Sequence, residues 1–286
     1  MATAFLFLGH RNTPSIRQAY KRLQLSAENP GDVYWIYDST NAPPAPGLKK
    51  EPLWTFSLDL LNSTLQYPFG IPHIVPGYAH APIILFAQEH PEYENFWVIE
   101  YDVQFEGEWH AFFESTGTAP ADLLTTHVRT YRENPDWEWW DHLQHPTRHI
   151  PHAKRLASFN PIYRISRDAL SHLHEAHQRG WTGHNEVVLP TLLIDGGFRV
   201  RDLNGTGVYG AQVREPLYNR QTMRWRPPKW STSEPNMLHH PIKPIGWILR
   251  YYYRQYCRKV GQCAGRIRTV LGRVARKAKR FSQWSP

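Results

Sequence analysis

The sequence contains few cysteines and no long uninterrupted apolar segment. Only Cys257 and Cys263 occur in 286 residues. Two cysteines form no disulfide framework and are typical of a protein in a reducing compartment such as the cytoplasm. No apolar run approaches the roughly 20 residues of a membrane-spanning helix. The first ten residues lack a charged start and a cleavage site, so we expect a first strand there and not a signal peptide.

Several catalytic motifs are also missing from the sequence. It has no Gly-x-Ser-x-Gly, no P-loop and no His-Glu-x-x-His, so acyl-transfer, NTPase and zinc-protease functions lack their usual signatures. Four histidines lie close together between positions 142 and 152. They are His142, His145, His149 and His152. Pro146 and Pro151 interrupt any regular spacing and no cysteine accompanies them, so the pattern does not favour a zinc site.

Acidic residues are absent from the C-terminal segment. Of the 33 Lys and Arg residues, eleven lie between positions 246 and 286, where no Asp or Glu occurs. The other 22 are outnumbered by 25 Asp and Glu, which leaves residues 1–245 with a net charge of −3. A mildly acidic body with a basic tail favours a surface anchor over a general nucleic-acid-binding protein. We therefore predict a catalytic domain at 1–245 and a separate helix or tail at 246–286.

Apolar residues recur along this basic segment in steps of three and four. They are Leu249, Tyr253, Tyr256, Val260, Cys263, Ile267, Val270 and Val274. The spacing predicts an amphipathic helix. Basic residues fill most of the other positions, and Trp247 and Tyr251 add aromatic rings, so we expect the helix to lie in an anionic membrane surface. A coiled-coil seam and a nucleic-acid arm are the alternatives, and we consider nucleic acid an unlikely partner.

Aromatic residues, in contrast, are abundant. The chain has 12 Trp and 15 Tyr, more than a core requires, and surplus aromatic rings often stack on flat or ring-shaped ligands. Trp137, Trp139 and Trp140 form the densest group. From the sequence alone, this group could be a wall on which a sugar stacks, or a cover over the core.

The first forty residues have the pattern of a βαβ unit. An apolar run at 4–9 and another at 33–37 flank a helical pattern at 15–25 that begins near Thr13-Pro14. This order predicts parallel strands and an α/β fold with helices on the sheet. Further along, we expect helices at 81–90, 166–179 and 186–194, strands at 95–99, 121–125 and 198–202, an irregular functional loop at 134–161, and mostly coil at 204–244.

The strongest chemical signal is Trp97-Val-Ile-Glu-Tyr-Asp102. It is an apolar strand with two carboxylates, Glu100 and Asp102, at its C-terminal end. Ligands of open α/β sheets bind outside the carboxyl ends of the strands, and residues i and i+2 of a strand point to one side. Two such carboxylates can hold a divalent cation that binds substrate phosphates. The alternative is an acidic strand end that faces solvent.

The order of these motifs resembles that of GT-A glycosyltransferases, in particular those that build bacterial surface polysaccharides. A strand leading to Gly-His-Arg, a strand ending at Asp-Ser-Thr and a strand ending at Glu-x-Asp follow one another. The resemblance implies a GT-A-like, Rossmann-type mixed sheet flanked by helices. It also implies that Glu100 and Asp102 bind Mn²⁺ or Mg²⁺ on the diphosphate, although the family often has Asp at the first position. The residues it implies for nucleotide binding are Gly9, His10, Arg11 and Asp38.

The second half is similar to the acceptor side of the same enzymes. The segments Pro161 to Leu170, Gly183-His-Asn-Glu186 and Phe198-Arg-Val200 follow in the order found there. By this resemblance Glu186 is the general base, although it could instead complement a helix N-terminus. A late histidine of the Met237-Leu-His-His240 run would reach the metal or the diphosphate. We assign it to His240, while His239 stays open.

Together these features predict a metal-dependent, inverting glycosyltransferase of the hexosyl type. The donor is a nucleotide-diphosphate sugar, and the acceptor is a saccharide or a lipid-linked saccharide. The expected location is the cytoplasm, at the inner face of the membrane. A metal-dependent phosphohydrolase that uses the same carboxylates on water is the first alternative. The second is a non-catalytic protein that binds membrane or nucleic acid through its tail.

Overall fold

The computed structural model describes residues 2–27, 32–45, 47–48, 51–204, 208–211, 215–232 and 234–258. The strands are β1 (Thr3–Gly9), β2 (Val33–Asp38), β3 (Leu53–Phe56), β4 (Asn95–Glu100), β5 (Gln104–Phe105), β6 (Leu123–Thr130), β7 (Leu156–Ser166), β8 (Val200–Asp202) and β9 (Leu238–His239). The helices are α1 (Pro14–Ser26), α2 (Leu58–Leu65), α3 (Ala81–Glu89), α4 (Trp109–Gly117), α5 (Arg167–Gln178) and α6 (Asn185–Asp195). Residues 245–258 are also helical.

Seven strands form one mixed sheet in the order β3-β2-β1-β4-β7-β6-β8. The first four neighbours are parallel, β7 runs antiparallel to both β4 and β6, and β8 is parallel to β6. A separate two-stranded sheet pairs β5 with β9. The predicted α/β class, with a mixed sheet flanked by helices, is confirmed.

The central strands are buried on both faces, which explains their continuous apolar sequences. In β1, Leu6 contributes to the core on one face of the sheet, and Phe5 and Phe7 contribute to the core on the other. In β4, Val98 and Trp97 alternate in the same way. Helices α2, α3, α5 and α6 cover the first face, while α1 and α4 cover the second.

Local signals fix the start of the first helix where the sequence predicts it. The Thr13 hydroxyl accepts a hydrogen bond from the Ile16 N–H, and Pro14 occupies the first helical position, where its missing N–H costs nothing. Ile16, Tyr20 and Leu23 form the buried face of α1. The predicted βαβ opening is therefore present.

The prediction of an irregular loop at 134–161 is wrong in its last part. Residues from Leu156 onward belong to β7, an eleven-residue strand that separates β4 from β6. Pro161 concealed it, because a proline within a run argues against a central strand. The pairing with β6 shifts its register between Leu124 and Thr126, where the partner changes from Arg164 to Phe159. This bulge accommodates the proline. Helices α2 and α4 and strand β3 were also missed.

The described residues divide into two compact units. One comprises residues up to 227 together with 232–242, and the other comprises 228–231 together with 243–258. In the second unit, the N–H of Lys243 donates to the carbonyl of Lys229, and the helix at 245–258 exposes Leu249, Tyr253 and Tyr256. The rest of the predicted amphipathic helix, to position 274, lies outside the described residues. The division at 245/246 stays a prediction.

Candidate active site

The predicted donor and metal residues lie at one edge of the sheet. Gly9 ends β1, Asp38 ends β2 and Glu100 ends β4, and these three strands are parallel neighbours. In the register, Leu8 pairs with Glu100 and Gly9 pairs with Tyr37. Because parallel strands end at the same edge, the topology gathers these residues outside their carboxyl ends, where open α/β sheets bind ligands.

Glu100 and Asp102 converge through a turn. Strand β4 ends at Glu100, and the N–H of Val103 donates to the Glu100 carbonyl at 2.9 Å, which closes a turn over residues 100–103. The expectation that both carboxylates lie on a strand is therefore wrong, since only Glu100 does. The Asp102 carbonyl accepts from the N–H of Ile242 at 2.8 Å. This bond ties the turn to the segment that carries His240.

His240 joins these carboxylates from a distant part of the chain, and His239 does not. The N–H of His240 donates to the Thr222 carbonyl at 2.8 Å, and its Nδ1–H donates to the Arg224 carbonyl at 2.9 Å. With Nδ1 occupied as a donor, Nε2 is the atom that lies by the carboxylates. His239 pairs with Gln104 in the small sheet, and its Nε2 is 3.1 Å from the Glu234 carbonyl.

The three side chains form a group with room for a cation. His240 Nε2 lies 3.6 Å from Asp102 Oδ2 and 3.7 Å from Glu100 Oε2, and one ligand atom from each residue lies within 4.8 Å of the others. Ligands about 2.1 Å from an octahedral ion are about 3.0 Å apart when adjacent and about 4.2 Å apart when opposite. The two distances from His240 Nε2 fall between these values. Among the described residues, this is the single group of three or more such side chains.

The charges of this group also suit a cation. Burial lowers the pKa of His240, but the carboxylates of Asp102 and Glu100 outweigh that effect and raise it overall. Asp102 is buried and Glu100 is half-buried. Two carboxylates around one imidazole therefore make a negative, partly enclosed pocket, and oxygen and imidazole ligands of this kind suit Mn²⁺ or Mg²⁺.

Glu186 lies in the first turn of α6 and is within electrostatic reach of the carboxylate group. Burial raises its pKa to about 8, with further increases from the charges of Glu100 and Glu138 and an opposing decrease from Arg129. Position 186 is also where an acidic side chain complements the helix N-terminus, the alternative considered from the sequence. A carboxyl with such a pKa can exchange protons near neutral pH.

The predicted nucleotide-binding residues have distinct local contacts. The His10 ring packs edge-on against Tyr101, the residue between Glu100 and Asp102, with ring centroids 5.4 Å apart. Arg11 Nε donates to His10 Nε2 at 3.1 Å. Asp38 Oδ1 accepts from the N–H of Thr40 at 2.9 Å. The structure thus brings His10 next to the acidic turn, while Asp38 closes the turn after β2.

Arg129 is a cation near Glu186 that the sequence does not predict. It lies on β6 beyond a register shift, two residues after His127, which has a positive φ of 51°. Nearby, Asp202 accepts hydrogen bonds from the N–H of Val128 and from the hydroxyl of Tyr218, so this buried carboxylate fixes the irregular strand. No motif marks Arg129, because its position depends on that distortion.

The clustered histidines have separate structural contacts. His145 Nδ1 accepts from two following backbone N–H groups, and His152 Nε2 lies 2.9 Å from Asp141 Oδ1. The three neighbouring tryptophans also differ. Trp140 is buried with its Nε1–H donating to the Asn134 carbonyl, Trp137 packs on Trp140, and Trp139 stacks on His184. The three tryptophans therefore lie in different structural environments.

Comparison with known proteins finds distant structural likenesses. No family model matches the sequence, and no curated protein matches it. Mouse xyloside xylosyltransferase 1, in its apo form, is 14% identical, with a TM-score of 0.36 over 68% of this chain and 81% of that chain. A Bacillus anthracis protein described as a glucose-1-phosphate thymidylyltransferase, in complex with a sucrose, is 9% identical, with a TM-score of 0.34 over 61% and 74%. A glycosyltransferase involved in glycosylation of the major capsid of PBCV-1 is 10% identical, with a TM-score of 0.30 over 62% and 65%.

Proposed function

We propose that this chain is a metal-dependent, inverting glycosyltransferase that uses a nucleotide-diphosphate sugar. The observation that carries the proposal is the convergence of Glu100, Asp102 and His240 at the carboxyl edge of parallel strands, with Glu186 close enough to feel the charge of Glu100. A buried acidic group of this kind is suited to a cation and a diphosphate. Gly9, His10, Arg11 and Asp38 are the proposed nucleotide contacts.

Glu100, Asp102 and His240 would hold the Mn²⁺ or Mg²⁺ ion. When bound, a divalent cation offsets the negative charge of the leaving diphosphate. The chain contributes a prearranged ligand set, since the Arg224 carbonyl orients the His240 ring and the N–H of Ile242 anchors the Asp102 backbone. Such supporting hydrogen bonds keep ligands in place and tune their basicity.

Glu186 is the proposed general base. An acceptor hydroxyl attacks the anomeric carbon, the bond from that carbon to the diphosphate oxygen breaks, and the hydroxyl proton passes to the Glu186 carboxylate. The products are the glycosylated acceptor and the nucleoside diphosphate. Direct displacement of this kind inverts the anomeric configuration. We propose a hexose as the transferred sugar and a surface-polysaccharide intermediate as the acceptor.

A thermal-shift screen of nucleoside diphosphates and sugar nucleotides, with and without Mn²⁺ or Mg²⁺, tests the donor assignment. A ligand present at 100 times its Kd stabilises the folded protein by about 2.7 kcal/mol, so we expect the melting temperature to rise by several degrees with one nucleotide. The rise should require the divalent cation. Equal melting temperatures with every nucleotide and cation would contradict a nucleotide-sugar donor.

Hydrolysis of the donor separates the alternatives. A transferase should turn over its donor slowly in the absence of acceptor, whereas a phosphohydrolase should turn over fully with water alone. A non-catalytic protein should show no turnover in either case. Full turnover without acceptor would therefore replace the transferase assignment by the phosphohydrolase one.

We further propose that the C-terminal residues hold the enzyme at an anionic membrane surface, at the cytoplasmic face, next to a lipid-linked acceptor. In the helix at 245–258, the side chains of Arg250, Arg254 and Arg258 are exposed at intervals of four residues. Tyr252 and Tyr253 are also exposed. Interfacial aromatic rings combined with one sign of charge favour an anionic lipid surface. None of the helices in the described part of the chain is long and apolar enough to cross a bilayer.

Replacing Arg250, Arg254 and Arg258 together by Gln should weaken binding to vesicles that contain anionic lipid by about 100-fold, since each contributes about 1 kcal/mol near such a surface. Removing residues 246–286 should abolish the binding, while turnover on a small saccharide acceptor should survive. Vesicle sedimentation measures both effects. A matched control replaces Arg17, Lys21 and Arg132, which are exposed elsewhere, and should change binding little. Equal sedimentation of the full-length and truncated proteins would refute the anchor.

A further inference from the structure

The loop that contains Trp139 is fixed to the start of α6, the helix that carries Glu186. Gln144 and Thr182 exchange two backbone hydrogen bonds of 3.0 Å, one in each direction. Gly183 has a φ of +140°, and a Cβ at this position would lie 2.1 Å from the His142 carbonyl oxygen. Only glycine permits that approach. The loop and the N-terminus of α6 therefore hold one another in place.

Trp139 is the member of the tryptophan group that faces α6. Its ring stacks on the His184 ring with centroids 4.4 Å apart and an angle of 12° between the planes. It is partly exposed, whereas Trp140 is buried. Trp137 packs at 77° against Trp140 and belongs to the cover over the core. The two possibilities that the sequence left open thus apply to different members of the group.

One face of the Trp139 ring has no aromatic partner. The His142 centroid lies 4.5 Å from that of Trp139 and 6.5 Å from that of His184. The Trp139 and His184 centroids are 4.4 Å apart. The three distances form a triangle with close to a right angle at Trp139, so His142 lies beside the edge of the Trp139 ring and not over its free face. Among the described residues, no third ring contacts Trp139. The face opposite His184 is therefore not covered by another ring.

This ring lies next to the proposed base. His184 is the N-cap of α6, and its Nδ1 accepts from the N–H of Glu186 at 3.3 Å. Glu138, the neighbour of Trp139 in the chain, is close enough for its charge to affect Glu186. Burial lowers the pKa of His184 to about 4, with further decreases from His142 and His73, so the ring beneath Trp139 is neutral at physiological pH. A neutral aromatic surface therefore borders an acidic group.

We infer that Trp139 is the stacking platform for the acceptor saccharide, and that the apolar C–H face of a pyranose ring lies on the face opposite His184. The inference rests on the proposed glycosyltransferase function. A nucleobase is the other flat ligand that could stack on this ring. Gly9 and Asp38 end β1 and β2, which lie on one side of β4 in the sheet, whereas β7 and β6 lie on the other side. The loop that contains Trp139 follows β6. The platform is therefore on the acceptor side of the carboxylates.

Equilibrium binding of a panel of methyl glycosides, followed by saturation-transfer NMR on the full-length protein, tests this assignment without requiring turnover. The panel comprises the methyl glycosides of glucose, galactose, N-acetylglucosamine and xylose. We expect Trp139→Ala to weaken binding of the best glycoside by about tenfold, the scale of one lost aromatic contact with its buried area. Trp139→Phe, which keeps a ring, should restore most of the affinity. Trp230→Ala, which removes an exposed tryptophan that has no proposed role, is the control and should bind normally.

Two further measurements separate this inference from the function on which it rests. If the wild-type protein binds the glycoside but transfers sugar from no nucleotide sugar, the transferase is rejected and the platform is kept. Nucleotide affinity should not change in Trp139→Ala. Unchanged glycoside binding by Trp139→Ala, loss of nucleotide affinity instead, or no saturable binding of any glycoside in the panel would overturn the assignment.

Discussion

Asp102→Asn should reduce transfer by about three orders of magnitude or more and should abolish cation-dependent nucleotide binding. Asp102 is buried, 3.6 Å from His240 Nε2, so its carboxylate is the most enclosed negative charge of the group. A neutral amide of the same size cannot replace that charge. The several kcal/mol that a cation contributes to stabilising the leaving group would be lost, and each 1.4 kcal/mol corresponds to a factor of ten in rate.

The control for this substitution is Asp136→Asn, which removes an equal charge from an exposed position outside the carboxylate group and should leave activity unchanged. Near-ultraviolet circular dichroism should show that both variants are folded. Isothermal titration of the donor nucleotide with and without Mn²⁺ measures the binding. Wild-type activity of Asp102→Asn at limiting Mn²⁺ would show that the cation does not bind here.

The first strands and their carboxylates were predictable because each depends on short-range patterns. The strands at β1, β2 and β4 are apolar on both faces, so their sequences are continuous runs, and Glu100 and Asp102 follow one of them directly. The placement of functional groups at the carboxyl ends then follows from parallel pairing alone. This is why the position of Glu100 and Asp102 at this edge of the sheet could be predicted from the sequence.

The surroundings of Glu186 and His240 required the structure because their geometry arises from long-range contacts. Pro161 hid β7, and the register shifts along β6 placed Arg129 near Glu186 without any local sign. The sequence could not separate His239 from His240 either, since adjacent residues of an extended segment point in opposite directions. Pairing with the short β5 strand turned His239 away. Trp139 was distinguished from its neighbours only by its stacking on His184.

Changes in pH should reveal the proposed base before any substitution is made. A general base must be ionised to accept a proton. Burial together with the charge of Glu100 raises the pKa of Glu186 to about 8. We therefore expect kcat/KM to rise with pH and to level off once Glu186 is ionised, with the midpoint of the rise at or below about pH 8. A cation bound beside Glu100 offsets one source of the increase in pKa and should move this rise to lower pH. The exposed carboxylate of Glu138 also raises the pKa of Glu186. Glu138→Gln should therefore shift the rise in kcat/KM slightly to lower pH, with little change in the maximal rate.

Glu186→Gln should lower kcat by about 100-fold or more and leave the affinity for the donor unchanged, because a lost general base costs about that factor while the amide keeps the shape of the side chain. The rising limb of the pH profile should disappear with it. At pH 8 the variant should be no less stable than the wild type, because the substitution removes a carboxyl whose ionised form burial disfavours. Steady-state kinetics with Glu138→Gln as the matched control measures the loss, and NMR of the product gives the anomeric configuration. An unchanged kcat, or retention of configuration, would remove Glu186 from the role of base.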